Sequence, residues 1–590
     1  MKKIICFILI LVSCAIYAQP QRVPARRDPM VRVQPNGDSL IVLLRGDEWK
    51  HWMMTADGWH IRENKKGVLC YIRSLGGVDQ EVSNRQAHNA DKRSCCEKRW
   101  LKKHGIQNLS YAPCPPRIAP NATPMEAAAI QAKYSITSHT TTMQVNIRKT
   151  FPKVAVILVN FSNLVFANDH IRTAIDSMFN AVDYVNPFGE HSGSVRQYFS
   201  DQSYGRYNPK FDIYGPVTVS EDYQYYGTNS YGSSDARPGY LVTEACALMN
   251  DSLDFSQYDI DKDGDADLIY IIYAGPPASD EDYINRKWIP DPKNLIWPHY
   301  STIDRIGCGT NMRTFDNVRI NDYEVSSELD GYFSFQPGTD SVAVAAGIGI
   351  PCHEFGHGIG LPDQYNTNNG NNTNFSWDIM DYGCYNGDTY TPAGYSAYER
   401  WFMGWLTPRQ LTDPENCILP SLMQDSVALL ICPSGEHNLD GINPSPRSFY
   451  LLENRQQEKW DTYLDGHGMI LTQINYNATR WANNQPNNFS LLGIDIIEAD
   501  GVSMSTNQGS KSTDAFPKGA SFYKGIENFP IENIQESNGV ITFKFKGGTG
   551  TELQKHIGTD KQNKIILNGQ LYFQQSGHWY NLLGNEVHIL

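Results

Sequence analysis

The spacing of apolar and polar residues changes several times along this chain, and each change marks a different kind of element. Short alternating stretches at Ser39–Leu44, His51–Thr55 and Leu69–Ile72, separated by Asp57-Gly58 and Lys66-Gly67, predict a small antiparallel meander. A charged stretch, Ala87–Lys103, has helical character. From about Gly105 to Asn146 the pattern dissolves into Pro, Ala, Ser and Thr, which is linker composition and a domain boundary. At Lys153 "KVAVILVNF" begins a continuous apolar run, the mark of a strand covered on both faces. A helical pattern through Ile171, Ile175 and Phe179 follows, then a helix in "GSVRQYFSDQSYGRY" closed by Gly205. The strand "YNPKFDIYGPVTV", the helix "YLVTEACALMNDSL" and the buried strand "ADLIYIIYAG" continue the alternation of an α/β domain.

Beyond Trp405-Leu406 and Pro408 the pattern becomes short strands at turn-punctuated spacing: "FYLLENRQ", "GMILTQINY", "LLGIDIIEA" and "GVITFKFKG". These predict a β-rich domain ending near Lys546. "GGTGT" then leads to a last unit with strand-like pieces broken at Asn568-Gly569 and Ser576-Gly577. The expected organisation is a leader at 1–18, a β-rich N-terminal unit with its linker at 19–146, an α/β domain at 147–413, a β-rich domain at 414–546 and a small β tail at 547–590.

The first residues, "MKKIICFILILVSCAIYAQPQ", combine two lysines, an apolar run and small residues ending at Ala18. That is a secretory signal too short for a permanent span, with cleavage expected after Ala18. Leu11-Val12-Ser13-Cys14 also resembles a lipobox, which would anchor the chain through a lipidated Cys14; this is the less favoured reading. No later stretch is long and apolar enough to cross a bilayer. Apolar residues at 41% and charged residues at 19% allow buried cores, and a net charge of −14 excludes ordinary nucleic-acid binding. Two of the twelve cysteines, Cys6 and Cys14, fall in the leader. The remaining ten are too sparse to define a disulfide scaffold, and Cys417 with Cys432, bracketing one apparent hairpin, is the first pair to expect.

The chemistry concentrates in "IPCHEFGHGIGLPDQY". His353 and His357 stand four apart, so on a helix they project from one face and can share a metal ion. Glu354 beside them can act as general base on a water. Imidazole suits zinc, and a catalytic zinc needs a third ligand and one open position. Gly360 can take the left-handed conformation that ends a helix, which would return Asp363 toward the histidines. Glu399, in "AGYSAYERWFMGW", is the rival third ligand, at a separation where another class of zinc peptidase draws a glutamate.

The spacing HExxHxxGxxD resembles the long zinc motif of the metzincin metallopeptidases, with Asp in place of the third His. That resemblance implies a methionine-containing turn beneath the metal, matched by Met380 in "SWDIMDYG", and a role for Tyr382 in hydrogen-bonding the tetrahedral intermediate. Taken alone, either residue would be read as core packing. More specifically, "HEFGHGIGLPDQY", "GSVRQYFSDQSYGRYNPKFDIYGPV", "YDIDKDGDADLIYIIYAG", "IWPH", "AYERWFMGWL" and "FYLLENRQ" resemble the immune inhibitor A family of secreted metallopeptidases, over roughly residues 150 to 546. "GDEWKHWMMTADGWHI" resembles that family's pro-region. The resemblance implies zinc endopeptidase activity, a pro-segment and structural calcium.

In "YDIDKDGDADL", Asp259, Asp261, Asp263 and Asp267 fall at positions one, three, five and nine of a calcium loop, with Gly264 at the turn. Tyr270 stands where an EF-hand has its bidentate Glu, so structural calcium is expected rather than sensing. Five aspartates in nine residues repel one another without a cation. His299, His467, Glu453 and Arg455 read as structural. The tail "KIILNGQLYFQQSGHWYNLLGNEV" resembles the sorting tails of type IX export, which favours a secreted or cell-surface protein over a lipoprotein.

The expected molecule is therefore multidomain: a metzincin-like α/β zinc peptidase between an N-terminal β-rich pro-domain and a C-terminal β-rich domain. Protein or peptide substrates and a monomeric state are expected. The rival readings are a calcium-stabilised surface binding protein with a vestigial zinc motif, and a zinc amidase acting on cell-wall peptides.

Overall fold

The computed structural model describes residues 21–107 and 149–548, apart from short stretches between them (the longest being 229–234, 280–293, 307–312 and 334–341), and four strands between 564 and 587. The leader, the linker around Cys114, and Cys308 lie outside the described residues. Among the described residues, no helix is long and apolar enough to cross a membrane.

The centre of the molecule is a six-stranded sheet whose order runs Gln21–Arg22, His299–Thr302, Asp322–Ser327, Ile269–Tyr273, Lys153–Asn160, Lys210–Thr218. The last four run parallel; His299–Thr302 runs antiparallel to Asp322–Ser327. The unbroken apolar runs follow from this position. Val154, Val156, Leu158, Tyr270 and Ile272 face one core, while Ala155, Ile157, Val159, Ile269 and Ile271 face another. Helix Pro238–Met249 covers the second face with Leu241, Val242, Ala245 and Cys246. Helices Ile171–Asn180 and Val195–Gln202 cover the first face. The helix Gly349–Gly358, which carries the two histidines, joins them there with Cys352 and Phe355.

N-terminal to this region, six antiparallel strands from Met30–Val33 to Asp79–Gln86 pair in sequence order, a longer meander than the three strands expected. The expected helix at Ala87–Lys103 is confined to Cys95–His104, because Ser94 caps it by accepting the Glu97 N–H. The N-terminal sheet is not a free-standing unit. Leu40, Val42, Leu44, Ile61 and Tyr71 belong to the same continuous core as Phe355 and Met380.

C-terminal to the central region, a five-stranded and a three-stranded sheet pack face to face through Leu429, Tyr450, Leu452, Met469, Ile541 and Phe543. The other face of the five-stranded sheet, with Phe449, Leu451 and Ile474, meets Tyr398 and Trp401 on helix Ala397–Phe402. Strand Arg409–Gln410 already belongs to this sheet, slightly ahead of the expected start at 414. The tail forms an antiparallel four-stranded meander. The architecture is thus multidomain, with N- and C-terminal β-sheets flanking a central α/β region.

The pairing of Cys417 with Cys432 is not formed, and both are free thiols. Strand Glu415–Leu419 belongs to the three-stranded sheet, so Cys417 packs between the sheets, whereas Cys432 follows Leu429–Ile431 and packs on the opposite face of the other sheet. Proximity in sequence misled because the intervening chain crosses between sheets.

Candidate metal centre

The histidine helix ends where its sequence requires. Ile359 is the last residue near helical geometry, and Gly360 takes φ of +110°. Gly360 N–H donates to His357 O and Leu361 N–H to Gly356 O, the paired bonds that close a helix through a left-handed glycine. The reversal turns Leu361 O back to accept from His357 Nδ1–H at 2.7 Å, and returns Asp363 to the helix. Ile379 O accepts from His353 Nδ1–H, also at 2.7 Å. With both Nδ1 atoms engaged by carbonyls, both Nε2 lone pairs are directed inward.

There they meet Asp363. His353 Nε2 and His357 Nε2 lie 3.2 Å apart, and Asp363 Oδ1 lies 3.3 and 3.2 Å from them. Three donors on a tetrahedral ion with bonds of 2.0–2.1 Å would be spaced by about 3.3 Å. The donor set therefore fits zinc in atom type and in spacing. All three residues are buried, and burial opposes protonation of His357. Burial also works against charge on Asp363, yet the two histidines outweigh it and hold the carboxyl down at about 2.

Glu354 is fully buried, and its Oε2 accepts the Tyr300 N–H at 2.8 Å. Tyr300 lies on strand His299–Thr302 next to the helix, so the sheet itself orients the carboxylate. Met380 lies under the helix: a Cβ placed on Gly356 would come 2.8 Å from Met380 Sδ. Its loop is fixed by Asp381, whose carboxylate accepts N–H groups of Thr373, Asn374, Phe375 and Tyr382. Tyr382 follows on this loop, half-buried, its ring 5.0 Å from that of Tyr385.

A family model described as "Immune inhibitor A peptidase M6, catalytic domain" matches residues 141–269 and 294–406. The chain is distantly homologous to the immune inhibitor A peptidases. A protein named "Pre-pro-metalloprotease PrtV" in two strains of Vibrio cholerae serotype O1 is 23% identical over 363 residues, which cover 52% of this chain and 37% of that protein. "Immune inhibitor A" of Bacillus thuringiensis subsp. alesti is 26% identical over 294 residues, covering 42% of this chain and 39% of the relative. The chain thus spans less than two-fifths of the length of these relatives. At family level the matches point to a zinc-dependent peptidase, and both matched stretches of the family model belong to the central α/β region and its histidine helix.

Glu399, the rival third ligand, is directed elsewhere. It closes a capping box with Ser396 at the start of helix Ala397–Phe402. There burial pushes its carboxyl up to about 7, against the opposing hydrogen bonds of Ser396 and Asp378. In the aspartate loop, Asp259, Asp261 and Asp263 converge as a second cluster able to hold a cation. Lys262 and Gly264 turn the loop with φ of +64° and +94°. Asp267 lies outside that cluster, its Oδ2 accepting the Ile260 N–H at 3.1 Å, and Asp265 is taken by Arg319.

Lys210–Thr218 lies at the far edge of the sheet, and the histidine helix lies against Asp322–Ser327 and His299–Thr302. His299 itself is structural, bonded to Trp297 O and the Tyr323 hydroxyl. Cys95 and Cys96 are exposed on their helix and are not part of the metal cluster. Sequence reasoning also missed Asn484, which binds Asp363 from the C-terminal region; its only signal was an asparagine-rich stretch, "RWANNQPNN".

Proposed function

We propose that this chain is a secreted zinc-dependent endopeptidase, made as a zymogen, with zinc held by His353, His357 and Asp363. The observation that carries the reading is the 3.2–3.3 Å spacing of the three buried donor atoms, with Glu354 adjoining them. The sequence-derived leader supports export, and the family match supports peptide-bond hydrolysis.

A zinc ion bound there supplies Lewis acidity, which polarises a scissile carbonyl and acidifies water. Glu354 takes the proton of the attacking water on a carboxylate oxygen and passes it to the leaving amine nitrogen. Tyr300 N–H holds the other side of that carboxylate, so the base is oriented before substrate arrives. Asn484 fixes Asp363, and Met380 supports the helix between the two histidines. Tyr382 is the candidate donor to the oxyanion. Asp259, Asp261 and Asp263 would hold a structural calcium ion.

Latency is supported by the closure of the site: His353, His357 and Glu354 have at most 2% of their surface exposed. His51 of the N-terminal sheet stacks on Trp297 at 5.1 Å, and Gly46 abuts Gly370 so closely that a Cβ on Gly370 would meet it at 2.5 Å. The test is metal analysis of the secreted protein together with casein digestion, before and after nicking the linker and with or without chelator. Zinc near one per chain and chelator-sensitive digestion after nicking are expected. Zinc-free protein, or digestion indifferent to chelator, would overturn the reading.

A further inference from the structure

Behind the methionine turn lies a cluster of buried charge that the metal site does not use. Asp378, Glu399, Glu453 and Asp461 supply carboxyls and Arg455 a guanidinium, each at most 2% exposed. They come from the loop before Met380, from helix Ala397–Phe402, and from strand Ser448–Arg455 with the turn that follows it. Arg455 is committed to two of the acids. Its Nε–H and one Nη2–H donate to Asp461 at 2.6 Å each, and its Nη1–H donates to Glu453 Oε1 at 3.2 Å. Its other bonds go to Trp377 O and Gly394 O. Arg400, a second buried guanidinium nearby, donates to Tyr395 O, Leu422 O, the Tyr204 hydroxyl and Gln202 Oε1, and to none of these carboxyls.

Asp378 and Glu399 are left to one another, within hydrogen-bond reach. Glu399 Oε2 accepts the Ser396 N–H at 2.7 Å and its hydroxyl at 2.9 Å, while Glu399 Oε1 is buried and meets no N–H or hydroxyl donor among the described residues. Two buried carboxylates in contact, with the nearby guanidinium already offset by Glu453 and Asp461, cannot both keep their charge. One proton must lie between them. Burial and the facing Glu399 push the Asp378 carboxyl well above its ordinary range. Glu399 is pushed up less, its burial being offset by the hydrogen bonds of Ser396 and Asp378, so Asp378 is the donor. The other oxygen of Asp378, Oδ1, accepts the Met380 N–H at 2.8 Å. That N–H and the Ile379 carbonyl belong to one planar peptide, so holding one end of the plane orients the other. Ile379 O is the atom that accepts His353 Nδ1–H at 2.7 Å.

We propose that Asp378 and Glu399 form a carboxyl–carboxylate hydrogen bond that fixes the Ile379–Met380 peptide, and that Asp378 is thereby a positioning residue for His353. This rests on the reading of His353 as a zinc ligand and adds to it the groups that aim its imidazole. The chain of contact runs from Glu399 Oε1 through the Asp378 carboxyl to the peptide plane, and from the Ile379 carbonyl to the ring. Glu399 thus serves the metal centre without binding the metal.

The experiment combines zinc affinity of the full chain, by competition against a zinc-chelating dye, with infrared difference spectroscopy. Asp378→Ala and Glu399→Ala should each weaken zinc binding by about tenfold or more, as removal of a group that orients a metal ligand does. Asp378→Asn should restore the affinity, because its Oδ1 still accepts from Met380 and an amide N–H replaces the acid O–H. Glu399→Gln should restore it as well, since glutamine keeps the capping box and turns an N–H toward Asp378. A metal ligand at Glu399 would not be rescued in this way. The spectrum of wild type minus Asp378→Asn at neutral pH should contain the carbonyl stretch of a protonated carboxylic acid. That band needs no metal, and it stands even where an alanine variant does not fold. Its absence, alanine variants that bind zinc as wild type does, or Asn and Gln variants as weak as the alanine ones would overturn this inference and leave the peptidase reading intact. A folded wild-type chain that binds no zinc would instead remove the zinc reading on which it rests.

Discussion

Asn484 grips Asp363 twice: its amide Nδ2–H donates to Asp363 Oδ2 at 2.5 Å, and its Oδ1 accepts the Asp363 backbone N–H at 2.6 Å. The consequence is a division of labour on one carboxylate. Oδ2 is engaged by Asn484, so Oδ1 is the atom presented to the histidines. The grip also ties the C-terminal region to the metal centre, across 121 residues of sequence.

Asn484→Ala should therefore loosen metal binding without removing a ligand. Groups that orient metal ligands typically contribute about 10–100-fold in affinity. Competition against a zinc-chelating dye should show a loss within that range, alongside a fold preserved by circular dichroism. Unchanged zinc affinity would mean that Asn484 serves packing alone.

Gly356 is the second point of constraint. A Cβ there would lie 2.7 Å from the Tyr395 hydroxyl and 2.8 Å from Met380 Sδ. Overpacking of this kind typically costs about 1–3 kcal/mol. Gly356→Ala should lower the midpoint of thermal unfolding, and adding Met380→Ala should recover part of the loss by removing one clash. A Gly356→Ala protein as stable as wild type would show that Met380 does not press on the helix.

The local parts of this site were legible in the sequence because their geometry is local. Helical spacing puts His353 beside His357, and a left-handed glycine returns Asp363, six residues after His357, to both of them. The buried strands at Lys153 and Ile269 were legible because burial on both faces leaves no alternation. Asn484 and Tyr300 were not, since each meets the site only through tertiary packing and neither carries a periodic signal. Sequence reading also placed all residues before the linker in one unit, although Gln21–Arg22 pairs with the central sheet.

Calcium should act through Asp259. Its Oδ1 is buried and has no hydrogen-bond partner among the described residues, beside Asp261 and Asp263. A ligand that binds only the folded state at a concentration of 100 times its Kd stabilises by about 2.7 kcal/mol. Calcorimetric scans of the full chain should thus show a higher unfolding temperature with calcium than without. In Asp259→Ala the two scans should coincide. A calcium effect that survives Asp259→Ala would locate the ion elsewhere.

The N-terminal sheet should respond to acid through Asp57. Burial alone would raise its carboxyl, but hydrogen bonds from Arg93 and Thr55 and the guanidinium charge outweigh it, leaving it below the ordinary aspartate range. Arg93 contacts it through two nitrogens at 2.5 and 2.7 Å. A depressed folded pKa contributes stability above the unfolded value of about 3.9, and that contribution is lost as pH falls through the folded value. Between about pH 5 and 3, amide exchange in strands His60–Glu63 and Leu69–Gly76 should accelerate more in wild type than in Asp57→Asn. Equal acceleration would show that the pair carries no acid-sensitive stability.

The measurement that bears most directly on the central claim is the activity of Glu354→Gln at full zinc occupancy. Glu354 is held by Tyr300 N–H and lies outside the three-donor cluster, and in the proposed mechanism it is the base rather than a ligand. The substitution keeps size and removes proton transfer, a contribution typically worth about 10²–10⁴-fold in rate. After linker cleavage, the variant should retain one zinc per chain by metal analysis and unfold at the wild-type temperature, while casein digestion falls by at least a hundredfold. A folded, zinc-loaded Glu354→Gln protein that digests casein at near the wild-type rate would contradict the account.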